Sequence, residues 1–96
     1  SKLEAARYKQ LRLMEKAGEV KDLELQPKFP CEVNGKKICT YISDFRYKLR
    51  NGKEVVEDVK GVETAVFKLK KKLVEALYPD VTIEIVKNPR FFVIPD

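Results

Sequence analysis

The residues of this chain whose types and spacing could perform chemistry are Asp44 and the pair Asp58 and Lys60. Residues two apart in a β-strand share a face, so Asp58 and Lys60 should point one way and Glu57 the other. Two carboxylates and an amine among apolar residues are costly to bury unless a divalent cation compensates their charges. Mg²⁺ binds one or two carboxylates together with water and phosphate oxygens. The pattern therefore predicts a Mg²⁺ or Mn²⁺ site at Asp44 and Asp58, with Lys60 placed to neutralise charge that develops on a phosphodiester.

The composition excludes several other kinds of active site. The chain has no histidine, which removes Ser-His-Asp and Cys-His catalysis and every zinc site that uses imidazole. Two cysteines, Cys31 and Cys39, are too few for a disulfide framework, and a bridge between them would need an oxidising compartment. The net charge of +5 favours an anionic partner such as nucleic acid or an acidic membrane surface.

The length and hydropathy of the chain suit one domain, 1–96. There is no apolar run of about 18 or more residues and no signal-peptide pattern, so we expect a cytoplasmic protein with no membrane partner. The sequence opens at Ser1 without a methionine and inside a predicted helix. We therefore expect native residues upstream of Ser1.

The elements that must position these residues follow from the periodicity of the apolar residues. Residues 2–17 contain strong helix formers and end at Gly18, with Glu4 at the margin of the apolar face. From Leu23 the period changes to two, and Asn34-Gly35 and Asn51-Gly52 are typical of hairpin turns. These features predict an antiparallel meander of three strands, at about 23–33, 37–49 and 53–61, with Asp44 in the middle of the second.

The second half of the chain predicts a helix and a further strand. Thr64 can cap a helix that runs to about Tyr78, and 81–86 reads as the fourth strand. The connecting helix implies a right-handed crossover, which makes strands three and four parallel in a mixed sheet. An apolar segment at 91–94 would add a short strand or a docking tail. The predicted fold class is α/β (α+β), with the order αβββαβ. The buried stripe predicted for the second helix comprises Val66, Leu69, Leu73, Ala76 and Leu77.

The order of features along the chain resembles the PD-(D/E)xK nuclease superfamily: Asp44, then a hairpin, then Asp58-Val59-Lys60, then a helix. The resemblance implies a restriction-endonuclease-like core, a mixed sheet flanked by two helices. The opening SKLEAARYKQL resembles the first helix of that superfamily, where a glutamate completes the metal site, and Glu4 occupies the matching position. Ser43 stands where the pattern has proline, and Asp58 replaces the more usual glutamate, which shortens its reach by one methylene. From Ser1 to about Val86 the chain is similar to small phage and prophage proteins of uncharacterised function, related in fold to phage Holliday-junction endonucleases.

This resemblance implies a Mg²⁺-dependent (or Mn²⁺-dependent) endodeoxyribonuclease. Its catalytic residues would be Asp44, Asp58, Lys60 and Glu4, with the three carboxylates binding the metal. The expected setting is phage recombination or DNA processing in the cytoplasm of a bacterial host, and cutting of junctions would require a homodimer. Two alternatives stay open: a catalytically silent nucleic-acid-binding module of the same fold, and a protein-interaction domain for which the positive charge is incidental.

Six further side chains are candidates for substrate contact: Gln26, Arg7, Tyr41, Arg46, Lys68 and Lys72. Lys68 and Lys72 lie one helical turn apart and could follow a DNA backbone, although charge runs usually form a solvated helix face. Gln26 could equally be a surface glutamine of the sheet, and Arg7 could form an ion pair near Glu4. We expect Glu57 to be structural or exposed to solvent.

Overall fold

The computed structural model describes residues 1–89, so the predicted segment at 91–94 lies outside the described residues. Within that range the chain forms two helices and six strands, an α+β arrangement in which helices flank the sheet strands, as predicted. In chain order the elements are α1 (Lys2–Lys16), β1 (Val20–Leu25), β2 (Lys28–Val33), β3 (Lys36–Ile42), β4 (Phe45–Leu49), β5 (Glu54–Val59), α2 (Ala65–Leu77) and β6 (Ile83–Val86).

Both helices begin at a side chain that caps them. The Ser1 hydroxyl accepts a hydrogen bond from the Glu4 N–H at 3.2 Å, and the Thr64 hydroxyl accepts one from the Phe67 N–H at 3.1 Å. These bonds satisfy amide donors that the first helical turn leaves without partners. The cap predicted at Thr64 is thus confirmed. Neither helix is long and apolar enough to cross a membrane, within residues 1–89.

The first two predicted strands are each divided in two, which corrects the simple three-strand meander. The first breaks at Gln26 and Pro27 and the second at Ser43 and Asp44. Pro27 has no N–H to donate, and Gln26 has a φ of 54°, which turns the chain out of the strand direction. Backbone bonds still cross the break, from the Gln26 N–H to the Asp44 carbonyl (2.9 Å) and from the Ser43 N–H to the Pro27 carbonyl (3.1 Å).

The break produces two sheets. The outer halves, β2 and β3, pair as an antiparallel hairpin of their own. The inner halves join the main sheet, whose order is β1-β4-β5-β6. β4 is antiparallel to both β1 and β5, whereas β5 and β6 are parallel. The predicted mixed sheet with a parallel crossover through α2 is therefore confirmed.

Each helix covers its own apolar cluster. The α1 cluster comprises Leu11, Met14, Val20, Phe45 and Tyr47. The α2 cluster comprises Phe29, Cys31, Tyr41, Val56, Phe67, Val74 and Ile83. The hairpin β2–β3 thus folds over α2, and Asp44 and Gln26 lie at the junction between the two sheets.

The buried stripe of α2 differs from the prediction. Phe67 and Val74 are buried, whereas Val66 and Leu69, predicted to be buried, are 61% and 69% exposed. Ala76 is exposed too, and only Leu73 and Leu77 of the predicted stripe pack against the cluster. The apolar residues of this helix form a face broader than one stripe, so periodicity alone leaves its rotation open. The ring of Phe67, 6.4 Å from that of Tyr41 between centroids, is part of the packing that fixes it.

Candidate active site at the junction of the two sheets

Asp44 and Asp58 meet where the ladder between β4 and β5 ends. Asp44 lies in the break before β4, and not within a strand as predicted. The register pairs Phe45 with Glu57, and its continuation places Asp44 opposite Asp58. The Asp44 N–H donates to Asp58 Oδ1 at 3.0 Å, and the Val59 N–H donates to Asp44 Oδ2 at 2.8 Å. Each aspartate thereby accepts a backbone bond from the other strand, so the two carboxylates are held side by side.

Asp58 is buried but incompletely satisfied. The residue is 2% exposed, and its second oxygen, Oδ2, has no hydrogen-bond partner among residues 1–89. Burial raises the pKa of Asp58 to about 6, against the opposing effects of the Lys60 charge and the Asp44 N–H, while the charge of Glu4 raises the pKa further. A buried oxygen without a partner costs about 1–3 kcal/mol, and more when charged. The geometry therefore leaves a position where a cation or a proton is favourable.

Lys60 follows β5 directly and is half-buried. Its backbone N–H donates to the Val86 carbonyl at 3.0 Å, which continues the parallel ladder for one more residue. Its ammonium lies 4.6 Å from the centroid of the Phe67 ring, a cation–π contact. Lys60 thus stands between Asp58, whose pKa it lowers, and the start of α2. The charge of Lys60 thus acts on Asp58, and that the two side chains belong to one site stays a prediction.

Glu4, Gln26 and Asp44 line one open cavity of about 450 Å³, which we call the site cavity. Its other lining residues are Ser1, Ala5, Tyr8, Leu25 and Phe45. The first turns of α1 supply one wall, and the sheet junction supplies the opposite one. The structure therefore brings three sequence-predicted residues to the same cavity, with Asp58 hydrogen-bonded directly behind Asp44.

A family model described as "Protein of unknown function (DUF1064)" matches residues 1–92. The chain belongs to the DUF1064 family. Comparison with curated proteins gives no significant match, and comparison with solved structures gives none either.

The sequence reasoning missed a buried ionic network next to the site. Arg7 and Glu57 are each 1% exposed, and the guanidinium donates to both carboxylate oxygens, at 2.6 and 2.9 Å. The Tyr47 hydroxyl donates to the same carboxylate at 2.6 Å, and burial raises the pKa of that phenol. Arg7 is thus corrected from a substrate contact to a link between α1 and β5, and Glu57 is structural and not exposed.

A signal for this network was present in the sequence. Arg7 lies one and two helical turns before Leu11 and Met14, the two other buried residues of α1. Glu57 shares its strand face with Val55 and Val59, which pack against the α1 cluster. A charged residue on each of two apolar faces indicates an ion pair between them, since an unpaired charge is not buried.

The remaining substrate candidates of this DUF1064 chain are dispersed. Tyr41 is buried in the α2 cluster, which corrects its prediction as a substrate contact. Arg46 pairs with Glu24 at 2.6 Å and lies 5.6 Å from the Phe29 ring centroid. Lys68 and Lys72 are exposed on α2 and do not line the site cavity.

The residues present fit a hard cation that brings most of its own ligands. In the described part of the chain, no group of three or more acidic or cysteine side chains forms a ready-made metal site. Mg²⁺ does not need one, because it commonly keeps several waters and binds one or two carboxylates plus substrate phosphate. Asp44 and Asp58 each have one oxygen that backbone bonds leave available, and that of Asp58 is buried without a partner.

Proposed function

We propose that this protein is a metal-dependent endonuclease that hydrolyses phosphodiester bonds of DNA. The observation that carries the proposal is the buried, unpartnered Oδ2 of Asp58 beside Asp44. The Tyr41 hydroxyl is also buried without a partner among residues 1–89, but it lies in the α2 cluster, whereas Asp58 adjoins a second carboxylate, where a bound ion would satisfy the free oxygen. Strongly perturbed carboxylates in a cavity are also typical of functional sites.

Asp44 and Asp58 would hold Mg²⁺ or Mn²⁺, and Glu4 would act from the opposite wall on the ion or on its water shell. When bound, such an ion polarises the phosphodiester and lowers the pKa of a bound water. The reciprocal backbone bonds fix both aspartates before any ligand arrives, which reduces the cost of assembling the site. The Ser1 cap closes the first turn of α1 at Glu4, and the Arg7–Glu57 pair holds α1 against β5; together they position Glu4.

Lys60 would supply positive charge to the scissile phosphate. The ammonium lies against the Phe67 ring and has no acidic hydrogen-bond partner among residues 1–89. An ammonium fixed near a developing negative charge stabilises the transition state more than the ground state. Removal of one such donor typically reduces the rate by about 100-fold to 1000-fold.

DNA is the proposed partner because the chain carries a net charge of +5 and exposes Lys68 and Lys72 on α2. Contacts of this kind neutralise phosphates and do not read bases. The resemblance to relatives of junction endonucleases supports phage recombination or DNA processing in a bacterial host as the setting. A junction substrate would require a homodimer, so that both strands are cut.

The decisive experiment measures nicking of supercoiled plasmid and cutting of a four-way junction in Mg²⁺, Mn²⁺ and EDTA. We expect metal-dependent cleavage by the wild type and a loss of about 100-fold or more in Asp58→Asn. Asp80→Asn, an exposed aspartate outside the site cavity, is the matched control and should cleave normally. Cleavage that persists in Asp58→Asn, or that no metal supports, would contradict the proposal.

A catalytically silent DNA-binding module is the second candidate. Asp44 and Asp58 each accept a backbone hydrogen bond, and that structural use would preserve both residues without catalysis. The same assay separates the candidates when it is combined with a binding measurement. DNA binding that is unaffected by metal, with no cleavage on either substrate, would favour the silent module.

A further inference from the structure

The two cysteines of the chain, Cys31 and Cys39, lie directly opposite each other in the hairpin β2–β3. Directly opposite residues of an antiparallel pair turn their side chains to the same face of the sheet. Here that face packs on α2, since Cys31 belongs to the α2 cluster and Cys39 packs against it. The fold therefore brings together two thiols that seven residues separate in the sequence.

The backbone geometry at this pair suits a disulfide. The Ser43 N–H donates to the Pro27 carbonyl, and bonded pairs recur every two residues, so Cys31 and Cys39 form a bonded pair as well. The Cα atoms of such a pair are about 5.5 Å apart, within the roughly 4.4–6.8 Å that disulfides span. The register shifts directly after Cys31, and a bulge there loosens the ladder where the two side chains have to approach.

The surroundings of the two thiols differ. Cys31 is 0% exposed, and its S–H donates to the Phe29 carbonyl, with Sγ 3.5 Å from the oxygen. Burial and the neighbouring Cys39 side chain raise the pKa of the Cys31 thiol, against the lowering effect of the Lys70 charge. Cys39 is half-buried, so a reagent in solution reaches it more readily. An accessible thiol next to a buried one is the arrangement of an attacking and a resolving cysteine.

Packing alone accounts for only one of the two cysteines. A buried thiol behaves as a small apolar group, which explains Cys31 in the α2 cluster. It does not explain a second cysteine at the half-buried position directly across the hairpin.

We propose that Cys31 and Cys39 form a reversible disulfide by exchange with a low-molecular-weight disulfide such as that of glutathione. The inference goes beyond the proposed function and does not depend on it. The Cys39 thiolate attacks one sulfur of glutathione disulfide, whose S–S bond breaks and releases one glutathione thiolate. The Cys31 thiolate then attacks the Cys39 sulfur of this mixed disulfide and releases the second glutathione. Two protein thiols are thus oxidised to one disulfide, while one glutathione disulfide is reduced to two thiols, which take up the protons that the cysteines lose.

The bridge cross-links the hairpin beside α2. It closes a loop of residues 32–38, which contains the Asn34-Gly35 turn, and so removes conformations from the unfolded chain. Neither cysteine lines the site cavity, so that cavity keeps its walls in both redox states. In a reducing compartment both thiols stay free, and a rise in low-molecular-weight disulfide joins them.

The first test incubates the folded wild-type chain with reduced glutathione or with glutathione disulfide, blocks the remaining free thiols and measures the mass. We expect two blocked thiols in the first case. In the second we expect the loss of two hydrogen atoms, a peptide that links Cys31 to Cys39, and recovery of both thiols with dithiothreitol. Two free thiols in glutathione disulfide, a lasting mixed disulfide, a bridge between two chains, or a bridge that forms only in urea would overturn the inference.

The second test separates the roles of the two thiols with single-cysteine variants, each shown to be folded by circular dichroism. Cys31→Ala should accumulate the mixed disulfide at Cys39. Cys39→Ala leaves only the buried thiol and should react with glutathione disulfide at least about tenfold more slowly, because exchange requires access to the sulfur. Urea exposes both thiols and is the control in which this difference should vanish. Equal rates in the two folded variants would overturn the proposed order of attack.

Discussion

Glu57 and Asp58 are consecutive residues of β5, and both are almost completely buried, yet their surroundings differ. Both oxygens of Glu57 are engaged, by the Arg7 guanidinium and by the Tyr47 hydroxyl. Asp58 has one oxygen bonded to the Asp44 N–H and one without a partner among the described residues. Alternation along the strand sends the two carboxylates to opposite faces.

The difference separates a structural carboxylate, Glu57, from the carboxylate that we propose as a metal ligand, Asp58. The charge of Glu57 is neutralised by Arg7, so this residue links β5 to α1. Both of its carboxylate oxygens already accept hydrogen bonds within the protein. The charge of Asp58 is only partly compensated, and its raised pKa records the cost. The unsatisfied oxygen of Asp58, next to the satisfied carboxylate of Glu57, is the reason we propose that a ligand binds on the Asp58 face of the sheet.

The largest effect should come from breaking the satisfied pair. Arg7→Met leaves the Glu57 carboxylate buried without its cation, and we expect a loss of about 3–5 kcal/mol in the free energy of unfolding. Urea unfolding measures it. The double variant Arg7→Met/Glu57→Leu should recover much of the loss, because no buried charge then remains. A loss below about 1 kcal/mol in the single variant would mean that the network does not hold α1 to the sheet.

Lys60→Ala tests the proposed role of the ammonium next to Asp58. Folding and DNA binding should change little, whereas the cleavage rate should fall by about 100-fold or more, equivalent to roughly 2.7 kcal/mol of transition-state stabilisation. Lys53→Ala, an exposed lysine in the turn before β5, is the control. Cleavage by Lys60→Ala at the rate of the control would remove Lys60 from the proposed mechanism.

Metal binding should stabilise the protein through Asp44 and Asp58. At a hundredfold excess of Mg²⁺ or Mn²⁺ over its dissociation constant, linkage predicts about 2.7 kcal/mol of added stability. Thermal melts with and without metal should show this gain in the wild type and in Asp80→Asn, but not in Asp44→Asn. An equal response of Asp44→Asn and wild type would place the metal elsewhere.

The unsatisfied carboxylate also predicts a pH dependence. Because burial raises the pKa of Asp58 from 3.8 to about 6, the folded protein keeps this proton while the unfolded chain loses it. The penalty is absent below the unfolded pKa, grows as the pH rises, and is complete above about 6. Relative to Asp58→Asn, which cannot ionise, the wild type should lose ~2 kcal/mol of stability between pH ~4 and pH ~7. If the stabilities of the wild type and of Asp58→Asn, measured by urea unfolding, changed equally with pH, the pKa of Asp58 would be the same in the folded and unfolded states, contrary to the prediction.

The smallest effect concerns two exposed lysines on the surface of α2. Changing Lys68 and Lys72 together to Ala should reduce the slope of log affinity against log salt by one to two units, at about 0.9 per phosphate contact. The change should be equal for unrelated sequences, because contacts with phosphates carry no base information. A double variant of Lys9 and Lys16 on α1 is the control. An unchanged slope would make Lys68 and Lys72 a solvated helix face.

Local patterns were sufficient for much of the fold. Thr64 capped its helix, the Asn-Gly turns closed their hairpins and the crossover made β5 and β6 parallel, as predicted. Each depends on residues close in sequence or on the handedness of the chain, which no distant contact has to supply. The spacing of Asp58 and Lys60 also predicts that they act from one side of a strand; Lys60 follows the last residue of β5, and their joint action stays a prediction.

Only the tertiary structure decided how those residues are satisfied. The strand break depends on the positive φ of Gln26, which a glutamine in the sequence does not indicate, and the rotation of α2 depends on packing against the hairpin. The sequence by itself spaces Arg7 one and two helical turns from Leu11 and Met14 and puts Glu57 next to Asp58. The sequence did not show that Glu57 pairs with Arg7 whereas one oxygen of Asp58 has no partner among residues 1–89. Which side chains pair in a core depends on which faces of the helices and strands pack together. Local spacing carries no information about that packing.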